Sequence, residues 1–243
     1  MNLVLIRHGK SVWNLENKFT GWYDIELAPE GVIEAEKAAS FLVENGFKPC
    51  ICFTSYLRRA NKTLEIILNR MPVKMVKDVG IVKSWKLNER HYGALQGLNK
   101  DDTKNKYGEQ KFLEWRRSYN IPPPILEEDS PMNPKKDPIY ENENIDDLPL
   151  TECLKDTYDR VVPYWRSEIK PLVLEKDVLI AAHGNSLRAL CKFLFNIEDD
   201  EIVNLEIPTG NPLLINLDKS CKILSARYLD SSRAENLPKN LKL

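Results

Sequence analysis

Arg7-His8-Gly9 follows the short apolar run Leu3 to Ile6. A neutral imidazole is a competent nucleophile, provided that its second ring nitrogen is fixed by a hydrogen bond. A guanidinium can hold phosphoryl oxygens, and a glycine lets the backbone approach a ligand. The three residue types together suit phosphoryl transfer, although the tripeptide alone also fits a structural role. A second segment, His183-Gly184-Asn185-Ser186-Leu187-Arg188, follows the run Asp177 to Ala182. Its backbone N–H groups open a helix, which favours an anion, and His183 could donate to the same oxygens. A single histidine at a strand end is usually structural. Two at matching positions point to one site.

Between them lies Trp85 to Gly97. Glu89 is the natural group there for moving a proton to and from a hydroxyl, against the alternative of an Arg-paired surface carboxylate. His91 has no partner at metal-ligand spacing and reads as structural. Arg58-Arg59, Lys100 and Arg116-Arg117 could bind anions, although a basic pair alone is commonly a solvated face. Asn14, Thr20 and Gly21 follow the first strand and could add neutral donors.

These residues must be positioned by regular elements. The apolar runs at Leu3–Ile6, Cys50–Thr54 and Asp177–Ala182 read as buried strands. Pro29 to Asn45 has helical spacing, with Pro29 suited to the first turn and Gly46 to the stop. Arg59–Asn69 and Ser186–Phe195 read as further helices, and Leu213–Leu217 and Lys222–Tyr228 as later strands. The alternation predicts an α/β fold with a mostly parallel central sheet flanked by helices on both faces. Ligand sites in such sheets lie beyond the carboxyl ends of strands, where His8 and His183 fall. Residues 120–149 hold seven of the fifteen prolines and two acidic runs. They read as a Pro-rich insertion or lid with little regular structure. One domain over residues 1–229 is expected, followed by a mobile tail, 230–243.

The chain has 243 residues, 35 Lys+Arg, 36 Asp+Glu and a formal charge of −1. A compact chain this long buries roughly 70–75% of its unfolded surface, enough for a substantial core. Its 42% hydrophobic and 29% charged residues exclude disordered and collagen-like classes. The charge balance argues against a broad basic surface for nucleic acid or lipid but allows a local basic pocket. Five cysteines lacking a CxxC spacing are expected to be reduced core thiols. The N-terminus carries neither signal peptide nor membrane span, so a cytoplasmic location is expected.

Taken together, the segments resemble a known family. They are Leu5-Ile6-Arg7-His8-Gly9, Phe19-Thr20-Gly21-Trp22-Tyr23-Asp24, Thr54-Ser55-Tyr56-Leu57-Arg58-Arg59-Ala60, Asn88-Glu89-Arg90-His91-Tyr92-Gly93, Trp115-Arg116-Arg117 and Ala182-His183-Gly184-Asn185-Ser186-Leu187-Arg188. The chain resembles the cofactor-dependent phosphoglycerate mutases of the histidine phosphatase superfamily from Leu3 to about Leu229. The resemblance implies an isomerase of glycolysis and gluconeogenesis that interconverts 3- and 2-phosphoglycerate. It implies a phosphohistidine at His8 and Glu89 as general acid/base. Arg7, Asn14, Arg59, His183 and the Gly184 N–H would hold the phosphoryl group. Thr20, Gly21, Tyr92, Lys100, Arg116, Arg117 and Asn185 would bind phosphoglycerate. It implies 2,3-bisphosphoglycerate as primer and intermediate, no metal, and a homodimer or homotetramer without nucleic-acid or membrane partners.

Two features depart from the family pattern: Lys10 stands where an acidic or amide residue is usual, and the tail after Leu229 is short. A bisphosphoglycerate synthase or phosphatase of the same fold is the near alternative. Gly21 favours the mutase, since synthase relatives tend to carry serine there. A non-catalytic phosphate-binding module would be expected to lack part of the constellation. A metallohydrolase would need HxH or HExxH spacing, which is missing.

Overall fold

The structure is a computed structural model, and residues 1–233 are described. Six strands form one sheet in the order β3-β2-β4-β1-β5-β6. They are β1 (Asn2–Arg7), β2 (Ile51–Thr54), β3 (Gly80–Lys83), β4 (Val178–Ala182), β5 (Leu213–Leu217) and β6 (Ile223–Tyr228). The first four strands pair in parallel; β5 pairs antiparallel to β1, and β6 antiparallel to β5. The helices are α1 (Val12–Leu15), α2 (Pro29–Glu44), α3 (Arg58–Arg70), α4 (Val73–Val76), α5 (Lys100–Tyr107), α6 (Glu109–Arg117), α7 (Leu154–Tyr164), α8 (Lys170–Val173) and α9 (Gly184–Leu194).

Side-chain alternation along β1 divides the core between two faces. Leu3 and Leu5 pack with Val161, Trp165, Leu187 and Leu190 beneath α7 and α9. Val4 and Ile6 pack with Ala38, Leu42, Leu64 and Ile67 beneath α2 and α3. The sheet is therefore covered on both sides, which is why its central strands β1 and β4 read as unbroken apolar runs. Pro29 sits at the start of α2, where its missing N–H costs nothing. Gly46, at φ +66°, ends the turn that follows.

Several elements escape the sequence pattern. β3 is a short edge strand with all four residues exposed, so it has no buried face to mark it. Helices α5 and α6 cover only a small satellite core around Phe19, Phe112 and Trp115. Their apolar periodicity is correspondingly weak. Helix α9 starts at Gly184, two residues earlier than expected, because His183 itself serves as the N-cap. Of the five free cysteines only Cys52, Cys153 and Cys191 are buried; Cys50 is exposed and Cys221 half-buried. Cys50 precedes β2 instead of lying in it, and Cys221 sits in the β5–β6 turn at φ +63°.

Residues 120–149 form only short 3₁₀ turns. They pack on the outer side of the loop carrying Glu89. Ala94 N–H donates to Pro124 O at 2.8 Å, and Asn88 Nδ2 to Tyr140 Oη at 2.9 Å. Of the expected tail, Asp230 to Arg233 is described, with Arg233 paired to Asp230. Residues 234–243 lie outside the described residues. Among the described residues no helix is long and apolar enough to cross a membrane.

Candidate active site

The register of β1 against β4 pairs Arg7 with Ala182, so His8 and His183 leave the sheet side by side. His8 N–H donates to Ala182 O at 2.9 Å, and the two imidazole centroids are 5.0 Å apart. Strand β2, paired to β4 through Thr54 and Ala181, delivers Ser55 to the same rim. His183 Nε2 lies 2.7 Å from Ser55 Oγ.

His8 Nδ1 lies 2.7 Å from Gly9 O. A carbonyl only accepts, so Nδ1 carries the proton. Burial, then the charges of Arg59 and Arg7, hold the His8 pKa well below 6.5. The ring is therefore neutral at pH 7 and its Nε2 carries an unprotonated lone pair. Arg59 Nε donates to that atom at 3.3 Å. The fully buried Arg59 guanidinium also donates to Gly21 O at 2.8 Å and Tyr23 O at 3.1 Å. Burial lowers its pKa to about 10, which leaves it charged at neutral pH. Arg7 is anchored by Nη1 to Ile207 O at 2.9 Å.

Glu89 is 7% exposed. Its Oε1 accepts from Arg90 N–H at 2.8 Å and Asn185 N–H at 3.0 Å. A Cβ on Gly184 would lie 3.4 Å from the Arg7 guanidinium and 3.6 Å from Glu89 Oε2. The cation and the carboxylate thus meet across a residue with no side chain.

A cavity of about 190 Å³ opens over this cluster. It is lined by Arg7, His8, Asn14, Thr20, Gly21, Arg59, Glu89, Tyr92, Lys100, Arg116, Arg117, Gly184 and Asn185, all expected from the sequence. His183 is the exception: it is fully buried behind His8 and does not reach the wall. His91 lies off the cavity; its Nδ1 accepts from Gly93 N–H at 3.0 Å, and burial lowers its pKa to about 3. Lys10 is also off the wall, with its backbone N–H donating to Glu34 at 2.8 Å.

A sequence profile describing the histidine phosphatase superfamily (branch 1) matches residues 3–135. A Treponema denticola protein named 2,3-bisphosphoglycerate-dependent phosphoglycerate mutase is 50% identical over 237 residues, covering 97% of this chain and 95% of that protein. A Borreliella burgdorferi protein of the same name is 51% identical over 228 residues, covering 93% and 91%. This chain belongs to the histidine phosphatase superfamily. Solved structures share its fold at lower identity. Mycobacterial glucosyl-3-phosphoglycerate phosphatase aligns with TM-score 0.65 at 22% identity, covering 93% of this chain and 96% of that one. The α-ribazole phosphatase of Shigella flexneri aligns with TM-score 0.64 at 18% identity, covering 98% and 96%.

For a histidine phosphatase superfamily site, the electrostatics fit a multiply charged anion. Seven cationic side chains line the cavity against two carboxylates. Burial, then repulsion from Arg117, lowers the pKa of Arg116, and burial is the main cause of a lowered Lys100. Such crowding of cations is costly without a bound anion. Thr20 Oγ1, Arg7 Nε, Arg188 Nε and His183 Nδ1 are buried without a partner.

Six wall residues were not picked out from the sequence: Lys18, Phe19, Arg188, Leu205, Glu206 and Ile207. Phe19 and Arg188 lie inside the recognised motifs. Arg188 stands four residues after Gly184 and so shares its helix face. Its Nη1 donates to Asn185 Oδ1 at 2.8 Å and its Nη2 to Ile202 O at 2.7 Å. Leu205, Glu206 and Ile207 come from an irregular segment with no local signal.

Proposed function

We propose that this chain interconverts 3- and 2-phosphoglycerate through a phosphohistidine at His8 and a 2,3-bisphosphoglycerate intermediate. The observation that carries this reading is the neutral, lone-pair-bearing His8 Nε2 beneath a cationic cavity that also holds one buried carboxylate, Glu89. The 50% identical mutase relatives support the same choice of substrate.

Phosphoryl transfer depends on positioning and charge neutralisation. Arg7 and Arg59 neutralise the group in transit, Asn14 and the Gly184 N–H hold it, and His183 packs behind His8 with the ring centroids 5.0 Å apart. Phospho-His8 passes it to the C2 hydroxyl of 3-phosphoglycerate. The N–P bond breaks, a P–O bond forms, and the hydroxyl proton goes to Glu89. The 2,3-bisphosphoglycerate then reorients and returns its other phosphate to His8. An N–P bond forms, the P–O bond to C3 breaks, and Glu89 gives the proton to the freed oxygen. Thr20, Gly21, Tyr92, Lys100, Arg116, Arg117 and Asn185 bind the glycerate and its distal anion. Gly21, at φ +56°, has its Cβ direction filled by Gln96 Oε1 at 2.2 Å. A serine there would displace Gln96, whose Oε1 accepts from Trp22 N–H at 2.6 Å.

Phosphohistidine is lost to water, so bisphosphoglycerate primes the enzyme and water must be kept out. Residues 120–149 serve this end by bracing the Glu89 loop. The enzyme works in the cytoplasm as a homo-oligomer. A coupled assay through enolase tests the whole reading: turnover is expected, and its absence with bisphosphoglycerate present rejects it. Mass spectrometry after incubation with bisphosphoglycerate is expected to find one acid-labile phosphate, on His8.

A further inference from the structure

Of the two carboxylates on the cavity wall, Glu89 is held by two backbone N–H groups. Glu206 is different: its carboxylate sits on the guanidinium of Arg117 at the cavity's edge. We infer that Glu206 is a built-in competitor for the substrate's distal anion, occupying Arg117 in the free enzyme and releasing it on binding. The inference rests on Arg117 being a phosphoglycerate ligand, as assigned above.

The surroundings make this exchange a side-chain event. Residues 202–207 form a strap tied at both ends to cavity arginines. Arg188 Nη2 donates to Ile202 O at 2.7 Å, and Arg7 Nη1 to Ile207 O at 2.9 Å. The backbone carrying Glu206 is therefore fixed while its side chain is 51% exposed, against 25% for Arg117. A carboxylate that exposed regains water easily when it leaves, whereas Arg117 stays in place. There is also room for it to move. A second hollow of about 570 Å³, bordered by Leu113, Ser118, Val203 and Asn204, lies against the same pair. Glu206 is charged at neutral pH: the Arg117 hydrogen bond, with the charges of Arg117, Arg116 and Arg7, holds its pKa below the usual carboxylate range.

The consequence is selectivity by displacement. A ligand whose second anion reaches Arg117 must replace an ion pair already made. Exposed ion pairs are weak, so the exchange raises the dissociation constant by roughly twofold to fivefold.

The test is calorimetric titration of 3-phosphoglycerate into the full-length wild type, Glu206→Gln, Glu206→Ala and Glu114→Gln. Glu114 borders the second hollow without pairing to Arg117. The Kd is expected to fall roughly twofold to fivefold in both Glu206 variants, with KM following it. The gain should fade as salt rises. Glu114→Gln should change it less. An unchanged or raised Kd overturns the inference, since it would make Glu206 an orienter of Arg117. Equal falls in Glu206→Gln and Glu114→Gln overturn it too, since overall charge would then suffice. A wild type that binds but does not isomerise 3-phosphoglycerate, with the same Kd shifts, supports the exchange and rejects the mutase reading. Absence of binding in every protein removes both.

Discussion

The loop carrying Glu89 is held by one buried ion pair, and breaking it gives a sharp prediction. Arg160 of α7 is 8% exposed and Glu152 2% exposed. Arg160 Nε donates to Glu152 Oε1 at 2.6 Å and Nη2 to Oε2 at 2.9 Å. The same guanidinium donates to Lys86 O at 2.7 Å, Asn88 O at 3.1 Å and Glu89 O at 2.9 Å. Glu152 in turn accepts His91 N–H at 2.8 Å. Arg160→Met fills similar volume but leaves a buried carboxylate with one donor and the Trp85, Lys86, Asn88 and Glu89 carbonyls with fewer. Removing one partner of a buried pair costs about 3–5 kcal/mol. For a chain of this size each kcal/mol shifts Tm by about 2–4 °C, so a fall of roughly 6–20 °C is expected. Urea unfolding and calorimetry measure it. The double variant Arg160→Met/Glu152→Gln should lose less than the sum of the singles, because the stranded charge is gone. Since Glu89 O is among the carbonyls released, kcat should fall more than KM changes. A single-variant loss below about 1 kcal/mol, or strict additivity of the two changes, would refute the reasoning.

Further expectations concern the site and its histidines. His8→Ala should abolish phosphoprotein formation from bisphosphoglycerate; retained labelling would move the nucleophile elsewhere. Burial holds His91 at about 3 and keeps His8 and His183 well below 6.5. Between those values the unfolded chain binds more protons than the fold, so stability should rise with pH across that window and be lost on acidification. His91→Asn should flatten that slope by up to about 1.4 kcal/mol per pH unit, read from urea unfolding at several pH values. Gly31→Ala would put a Cβ 2.1 Å from Lys10 O, in the backbone just after Gly9. It should cost about 1–3 kcal/mol and lower kcat, since Gly9 O fixes His8 Nδ1; unaltered stability and turnover would contradict the packing.

Much of the site was legible because its carriers sit at the ends of buried strands. Such strands announce themselves as unbroken apolar runs, and polar residues directly after them fall on one rim of a parallel sheet. That reasoning locates His8 and His183, and the other segments of the family resemblance supply Arg59, Glu89, Arg116 and Arg117, all of which line the same cavity. The exposed edge strand β3 and the satellite helices α5 and α6 were not legible, because they bury too little apolar surface to leave a clear period.

By itself, the sequence determined the α/β alternation, the strand-end positions of His8 and His183 and the supply of cations despite a net charge of −1. Only the tertiary structure decided what those groups touch. The Gly9 carbonyl fixes the proton on His8 Nδ1, Ser55 meets His183 from a third strand, and Arg160 reaches the Glu89 loop from α7. Glu206 finds Arg117 across 89 residues from a segment with no periodicity at all. The physical reason is common to the last three. Hydrogen bonds and ion pairs depend on distances of a few ångströms between groups remote in sequence, and a linear pattern records type and spacing but not proximity.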